Sequence, residues 1–121
     1  MRACPCGSGR GLDACCGPLV LDGLPAETAE ALMRSRYTAF VLGETEHLWR
    51  TWHPRTRPAT VDTGGVTWTG LRVLEVSGGG PDEVTGVVEF EARFTVDGAA
   101  DVHRERSTFE RRGGRWTYVT G

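Results

Sequence analysis

Four cysteines crowd into the first sixteen residues of this 121-residue chain, Cys4, Cys6, Cys15 and Cys16, and it has no others. The segment Cys4-Pro5-Cys6-Gly7-Ser8-Gly9-Arg10-Gly11 is too rich in glycine and proline for a helix or strand interior. A stretch this short has no apolar core of its own, so its fold needs a cross-link. The spacing Cys-x-Cys-x8-Cys-Cys suits a tetrahedral zinc site. A borderline-soft divalent ion takes four thiolates at about 2.3 Å, and metal binding then supplies folding energy. Four sulfur ligands leave no open coordination position, so such a zinc is structural rather than catalytic. Disulfides and reversible thiol redox chemistry are the alternatives. A Cys15–Cys16 bridge closes a strained ring and Cys4–Cys6 is cramped, but cross-pairs such as Cys4–Cys15 stay geometrically open. Residues Met1 to Cys6 carry no apolar leader. That predicts a cytoplasmic, reducing setting and weighs against stable disulfides.

The chain is 39% hydrophobic and 25% charged, a balance that folds. Its apolar runs, such as Phe40-Val41-Leu42, fall far short of the ~20 residues that cross a bilayer, so no membrane span is expected. A formal net charge of −2 argues against binding nucleic acid by charge alone. All fourteen basic residues are Arg, and Lys, Ile, Asn and Gln are missing. A coding bias toward G and C explains that more simply than a demand for bidentate guanidinium groups.

Beyond Cys16, Asp22-Gly23-Leu24-Pro25 reads as a linker. It leads into a helix over about 26–42 with Pro25 near its first turn. Ala29, Met33, Tyr37, Phe40 and Val41 form one apolar stripe at helical period. Glu27 and Glu30 sit where the macrodipole favours anions, and Gly43 is a good C′ residue. A second helix over about 45–52 presents Leu48, Trp49 and Trp52 on one side, with His47 on the polar side and Pro54 as the stop. Residues 55–65, including Arg55 and Arg57, read as a solvated loop.

From Val66 the period changes to two, predicting strands over 66–76, 84–96, 99–112 and 115–120. Ser77 to Asp82 is a long turn. Asp97-Gly98 and Gly113-Gly114 are two-residue hairpin signals, because such turns need φ > 0. The first sets Glu91 opposite Arg104 and Glu89 opposite Arg106, opposite charges sharing one face. It also sets Val88, Phe90, Ala92 and Phe94 opposite Ser107, Glu105, His103 and Asp101. The second pairs Phe109 with Tyr118 and Arg111 with Trp116, so both turns define one inner face. The first strand changes alternation at Gly70, as a bulge would require. The fold class is therefore α+β: an N-terminal zinc knuckle, then helices packed on the apolar face of a bent four-stranded antiparallel sheet. A bent sheet wrapped on a helix leaves a pocket at its open end.

This register puts Glu105 and Ser107 on the apolar face, with His103 one pair closer to the Asp97-Gly98 turn. A carboxylate among Phe90, Phe94, Phe109 and Trp116 needs a partner or a raised pKa. Arg36, on the covering helix, is the expected partner, either in a ligand-binding or proton-moving spot or in a buried pair that docks helix on sheet. Trp52 is a candidate pocket wall. His53 precedes Pro54, leaves the helix and is expected at the cavity mouth, while His103 reads as partly exposed. No Walker loop, Rossmann glycine pattern, serine nucleophile elbow or His-rich metal motif is present.

The cysteine segment Cys4-Pro5-Cys6-Gly7-Ser8-Gly9, followed by Cys15-Cys16-Gly17, resembles the SEC-C motif, the zinc-binding tail of the SecA translocation ATPase and of many small bacterial proteins. The runs Leu32 to Phe40, Thr51-Trp52-His53-Pro54, Trp68-Thr69-Gly70-Leu71, Ala92-Arg93-Phe94, Glu105 to Phe109 and Arg115 to Val119 resemble the YchJ-type bacterial family over nearly the whole chain. That resemblance implies a SEC-C-like knuckle over 1–22 and a nuclear-transport-factor-2-like (cystatin-like) cone over 23–121. It also implies a zinc that is structural and a protein partner held through the knuckle, since SEC-C motifs serve protein contacts, including contacts to the chaperone SecB. Longer family members carry a second SEC-C motif after the cone, whereas this sequence ends at Gly121. The knuckle loop Arg10-Gly11-Leu12-Asp13-Ala14 has one base and one acid, where SEC-C loops are often Lys-rich. Cone folds host binders and enzymes alike, and open cone sheets often dimerise through their outer face. Two functions are therefore carried forward. One is an interaction module holding a peptide, small ligand or partner. The other is an enzyme doing acid–base chemistry with Glu105 and His53 or His103. Two titratable groups within hydrogen-bond reach in an ordered pocket would favour the enzyme.

Overall fold

The structure, a computed structural model, describes residues 2–121. A 3-10 turn, Leu12–Ala14, and helix α1, Gly17–Val20, lie within and just after the cysteine segment. Helix α2 spans Ala29–Leu42 and α3 spans Thr45–Arg50. Strands β1 (Thr67–Gly78), β2 (Thr85–Val96), β3 (Ala99–Arg112) and β4 (Arg115–Thr120) form one antiparallel sheet in the order β1-β2-β3-β4.

Helix α2 begins three residues later than the proline signal implied. Thr28 is its N-cap: the backbone is extended there and Oγ1 accepts from the Ala31 N–H at 3.0 Å. A threonine hydroxyl satisfies an otherwise orphaned helical donor, which Pro25 cannot do. Gly43 ends the helix at φ 75°, as expected of a C′ glycine. The single stripe is too simple a description of α2. Leu32, Ser35, Arg36, Thr38 and Ala39 are buried along with Ala29, Met33 and Tyr37, while Val41 is exposed. The helix is packed on two sides, by the sheet on one and by the knuckle and α3 on the other.

Helix α3 stops at Arg50 because Thr51 turns its hydroxyl back onto the His47 carbonyl at 2.7 Å. Trp52 lies outside the helix, in a parallel bridge with Tyr118. Of its expected apolar side only Leu48 is fully buried. Trp49 is exposed, and the Arg57 guanidinium stacks on it 3.8 Å from the ring centroid. His47 is not on the polar side. It is 3% exposed, with Nε2 2.9 Å from the Ser35 hydroxyl, and burial together with the charges of Arg50 and Arg36 pushes its pKa down to about 4.

The sheet register matches the one read from the two turns. Val96 pairs with Ala99, Phe90 with Glu105, Ala92 with His103, and Phe109 with Tyr118. Asp97 (φ 51°) and Gly98 (φ 81°) both occupy the left-handed region, as do Gly113 and Gly114, the geometry of a type I′ hairpin. The expected irregularity at Gly70 is present, and β1 has a second one between Val73 and Glu75. On the outer face Arg104 reaches diagonally to Glu89 at 2.8 Å rather than to Glu91 opposite it, and Arg106 bridges Glu75 and Glu89. The inner face buries Val88, Ala92, Ser107, Phe109 and Trp116. At the β1–β2 turn, a Cβ on Gly79 would stand 2.6 Å from the Ala29 side chain. The missing side chain lets the turn carbonyl accept from the Ala29 N–H at 2.9 Å, which pins the start of α2 to the sheet.

Candidate functional site

Two polar centres flank α2. In the knuckle, a short bridge between Ala3 and Gly11 closes the loop, helped by bonds from Cys4 N–H to the Arg10 carbonyl (2.9 Å) and from Leu12 N–H to that of Arg2 (2.8 Å). Gly7 and Gly9 take positive φ, letting the backbone wrap the sulfurs. The Sγ atoms of Cys4, Cys6, Cys15 and Cys16 all lie within 4.8 Å of one another, and three of the four residues are buried. Cys6–Cys15 is 3.6 Å and Cys15–Cys16 is 3.9 Å. A tetrahedron with legs of about 2.3 Å has edges of about 3.8 Å, so these separations suit four ligands on one ion. They are far from the ~2.05 Å of a disulfide, and all four thiols are free.

The donor set fits a cation for a second reason. Hydrogen bonding with Cys16 draws Cys6 down to about 4 against the effect of burial. The same contact, then burial, pushes Cys16 up, and burial pushes Cys15 up. The shifts of Cys6 and Cys16 oppose each other, so ionising one sulfur disfavours ionising its neighbour, whereas a divalent ion lets thiolates stand side by side. Ser8 Oγ at 3.1 Å and Arg10 Nη2 at 4.0 Å approach Cys15, and Arg34 Nη1 on α2 donates to the Cys6 carbonyl at 2.8 Å. Cys4 Sγ rests 3.7 Å from Thr38 Oγ1. The knuckle thus sits on α2. Cys4, Cys6, Leu12 and Cys16 share one apolar cluster with Tyr37, Ala39, Leu48 and Ala92.

On the other side, between α2 and the inner face of the sheet, lies a cavity of about 250 Å³. Five of the six pocket residues expected from sequence line it: Arg36, Trp52, His103, Glu105 and Ser107. His53 does not. Its Nδ1 accepts from the Arg55 N–H at 3.0 Å and its Nε2 faces Glu110 Oε1 at 3.6 Å, because its backbone N–H is tied to the Tyr118 carbonyl. Met33, Tyr37, Phe40, Trp68, Phe90 and Tyr118 are also in the wall. Tyr118 is the important residue missed as a site candidate. Its pairing with Phe109 had already placed it on this face.

Glu105 finds three donors: Ser107 Oγ, the Tyr118 hydroxyl at 3.0 Å and His103 Nε2 at 2.8 Å. Burial pushes its carboxyl up, but these hydrogen bonds and the His103 ring outweigh burial and hold it below the ordinary value. Tyr118 is pushed up to about 12, first by burial and then by the Glu105 charge.

Arg36 is not the partner of Glu105. Its Nη1 donates to the Leu48 carbonyl and to Thr51 Oγ1, both at 2.8 Å. Its guanidinium carbon lies 4.5 Å from the Tyr118 ring centroid and 5.0 Å from that of Trp52. The residue is 6% exposed, and burial lowers its pKa to about 10, only partly opposed by Tyr118 and Glu105.

Fold and site together define a cone-shaped, nuclear-transport-factor-2-like protein fronted by a SEC-C cysteine quartet. The family model described as the middle NTF2-like domain of YchJ matches residues 28–121, and the chain belongs to the YchJ family. Among relatives, a UPF0225 protein of Chromobacterium violaceum is 51% identical over 124 residues, covering 98% of this chain and 91% of that one. A UPF0225 protein of Streptomyces coelicolor is 48% identical, covering 98% and 93%. Two solved structures are similar. The solution structure of a SEC-C motif-containing protein from Rhodopseudomonas palustris has TM-score 0.86 and 39% identity, covering 98% of this chain and 95% of that one. The crystal structure of a SEC-C motif-containing protein from Psychrobacter arcticus has TM-score 0.81 and 28% identity, covering 98% and 81%. No helix among the described residues is long and apolar enough to cross a membrane.

Proposed function

We propose that the protein is a cytoplasmic binding module stapled by one structural zinc. The SEC-C knuckle presents a docking surface to a protein partner, and the cone cavity holds a small ligand. The observation that carries the zinc reading is the sulfur quartet, with separations of 3.6 and 3.9 Å against a tetrahedral edge of about 3.8 Å. The four thiolates would take every position on the metal, whose role is then to fix the loop and supply a compact charge. The exposed rim of that loop, Gly9, Arg10, Asp13 and Ala14, is the surface left for a partner. Elemental analysis of reduced, freshly isolated protein should give one zinc per chain, and a result without stoichiometric metal removes the reading. The docking role is tested separately, by replacing Cys15 and Cys16 with Ser. Loss of a co-purifying protein while the cone stays folded supports it, and its retention refutes it.

A second reading, acid–base catalysis in the cavity, gains from one geometric fact. His103 and Glu105 are hydrogen-bonded at 2.8 Å beside the opening, and Ser107 and Tyr118 orient the carboxylate. His103, rather than His53, is the histidine that this chemistry would use. Slow hydrogen–deuterium exchange of a bound carbonyl compound, lost in His103→Gln, would favour catalysis over simple binding.

A further inference from the structure

The cone buries a cation and gives it no anion. Arg36 is 6% exposed, yet among the described residues no carboxylate comes within ion-pair distance of it. Glu105, the acid on the same cavity wall, spends its oxygens on His103, Ser107 and Tyr118. Both hydrogen bonds from Arg36 leave through Nη1, so among the described residues Nε and Nη2 have no acceptor. The guanidinium carbon lies 4.5 Å from the Tyr118 ring centroid and 5.0 Å from that of Trp52, two rings set edge to face at 84°, and these contacts with the two Nη1 bonds hold the group in place. The cavity walls have a surplus of donors as well, since the indole N–H groups of Trp52 and Trp68 are buried with no acceptor. Burying a charge without an ion-pair partner costs several kcal/mol, a cost that a bound anion would offset.

Resting on the reading of the cone as a ligand-binding chamber, we infer that the cavity binds a small ring-bearing monocarboxylate, its anionic head on Arg36 and its apolar body among Phe40, Trp68 and Phe90. Size limits the choice. The chamber holds about 250 Å³, just below the roughly 300–1,000 Å³ of pockets for drug-sized molecules, so one ring with a short acid arm is the scale. Planar, bidentate recognition of carboxylate is what a preoriented guanidinium does best. Aromatic walls favour a flat apolar body over a sugar or a phosphate ester.

Three one-ring probes decide it: the isosteric pair phenylacetate and phenylacetamide, and the smaller cation benzylamine, titrated into the zinc-loaded full chain by calorimetry and by NMR of the indole N–H signals. The expected result is that phenylacetate binds at least tenfold tighter than the amide and that benzylamine does not bind. The Trp52 and Trp68 signals should shift, while those of Trp49 and Trp116, outside the cavity, stay fixed. Arg36→Met should erase the preference for the acid, and if that variant fails to fold the wild-type comparison stands alone. Equal or better binding of the amide or amine overturns the inference and leaves the chamber reading intact. No binding by any probe sinks both. Phenylacetate shifts confined to Trp49 or Trp116 overturn the inference by placing the anion elsewhere.

Discussion

The knuckle and the cavity are charged centres packed against one helix, and they are built on opposite principles. The knuckle gathers four acidic ligands in a closed, glycine-wrapped loop, and little apolar surface besides theirs holds that loop in shape. The cavity puts its single cation, Arg36, into a wall that is already rigid, set by strand register and aromatic packing. On the zinc reading, one centre has to be completed for its own segment to fold. The other is carried by a fold that stands without it. The lesson is that a charged group's contribution to stability depends on what else fixes its surroundings, and the contrast can be broken by experiment.

The largest effect should come from the knuckle. Cys6 is fully buried, and Cys6→Ser or exposure to a strong chelator should cost at least about 3 kcal/mol, lowering the melting midpoint by more than about 10 °C. Because Cys6 and Cys16 share a cluster with Tyr37 and Ala92, the loss should reach the cone. Near-ultraviolet circular dichroism should report altered packing of Trp68, which touches both Tyr37 and Phe40. A variant that melts like the wild type would show that the loop folds without metal.

Next comes a pH effect that has to be separated from thiolate protonation. His47 has a folded-state pKa near 4, below its ordinary value of 6.5. The unfolded chain therefore binds a proton that the folded chain refuses, and stability falls as pH drops from about 6.5 towards 4. The full swing is at most about 3 kcal/mol. His47→Gln should flatten the melting curve between pH 7 and 5 relative to wild type, leaving the knuckle's own acid sensitivity visible. An unchanged slope assigns all mild-acid loss to the sulfurs.

His47 also marks where the sequence was hard to read. The sheet was legible because two glycine turns fix the register locally and one residue of slip would reverse every side chain. That placed Glu105, Ser107 and His103 on the cavity wall. The cysteine quartet was legible for the same reason, as all its ligands lie within thirteen residues. What local patterning does not carry is the packing of the knuckle against α2 and α3. A knuckle treated as an appendage leaves one side of α2 and α3 to water, so His47 was assigned to the polar face and Val41 to the core. The segment from Val20 to Gly23 shares a cleft with His47, and no periodicity within α3 could announce it. Arg36 was placed correctly and given the wrong partner, because Glu105 had nearer donors on its own strand and on β4.

A smaller effect tests the seam between the two centres. Arg34 Nη1 donates to the Cys6 carbonyl and its Nε pairs with Glu30 one turn back, at 3.0 Å. Arg34→Met keeps the stem and removes both, for an expected loss of about 1–2 kcal/mol by urea unfolding. In a double-mutant cycle with Cys6→Ser the two losses should fall short of adding, since Arg34 has nothing to hold once the loop is gone. Strict additivity would mean that the helix and the knuckle are energetically separate.

The smallest expected change is the most telling. Arg36→Met removes a buried charge and two good hydrogen bonds, which by themselves favour the arginine. It also abolishes the desolvation of a cation that has no ion-pair partner among the described residues, and a methionine of similar length packs against Trp52 and Tyr118. Replacement of buried ions by well-packed apolar groups is often neutral, so the unfolding free energy should stay within about 1 kcal/mol of wild type. Thr51 Oγ1, 3.5 Å from the Leu48 carbonyl, can turn its one proton from the His47 carbonyl to that acceptor, since the His47 carbonyl keeps its bond from the Thr51 N–H. Denaturant unfolding at neutral pH without added acids measures it. A drop of about 3 kcal/mol or more would make Arg36 a structural strut like the cysteines and erase the distinction between the two centres. A variant as stable as wild type that has lost its preference for the acid would establish that the fold keeps this charge for something outside itself.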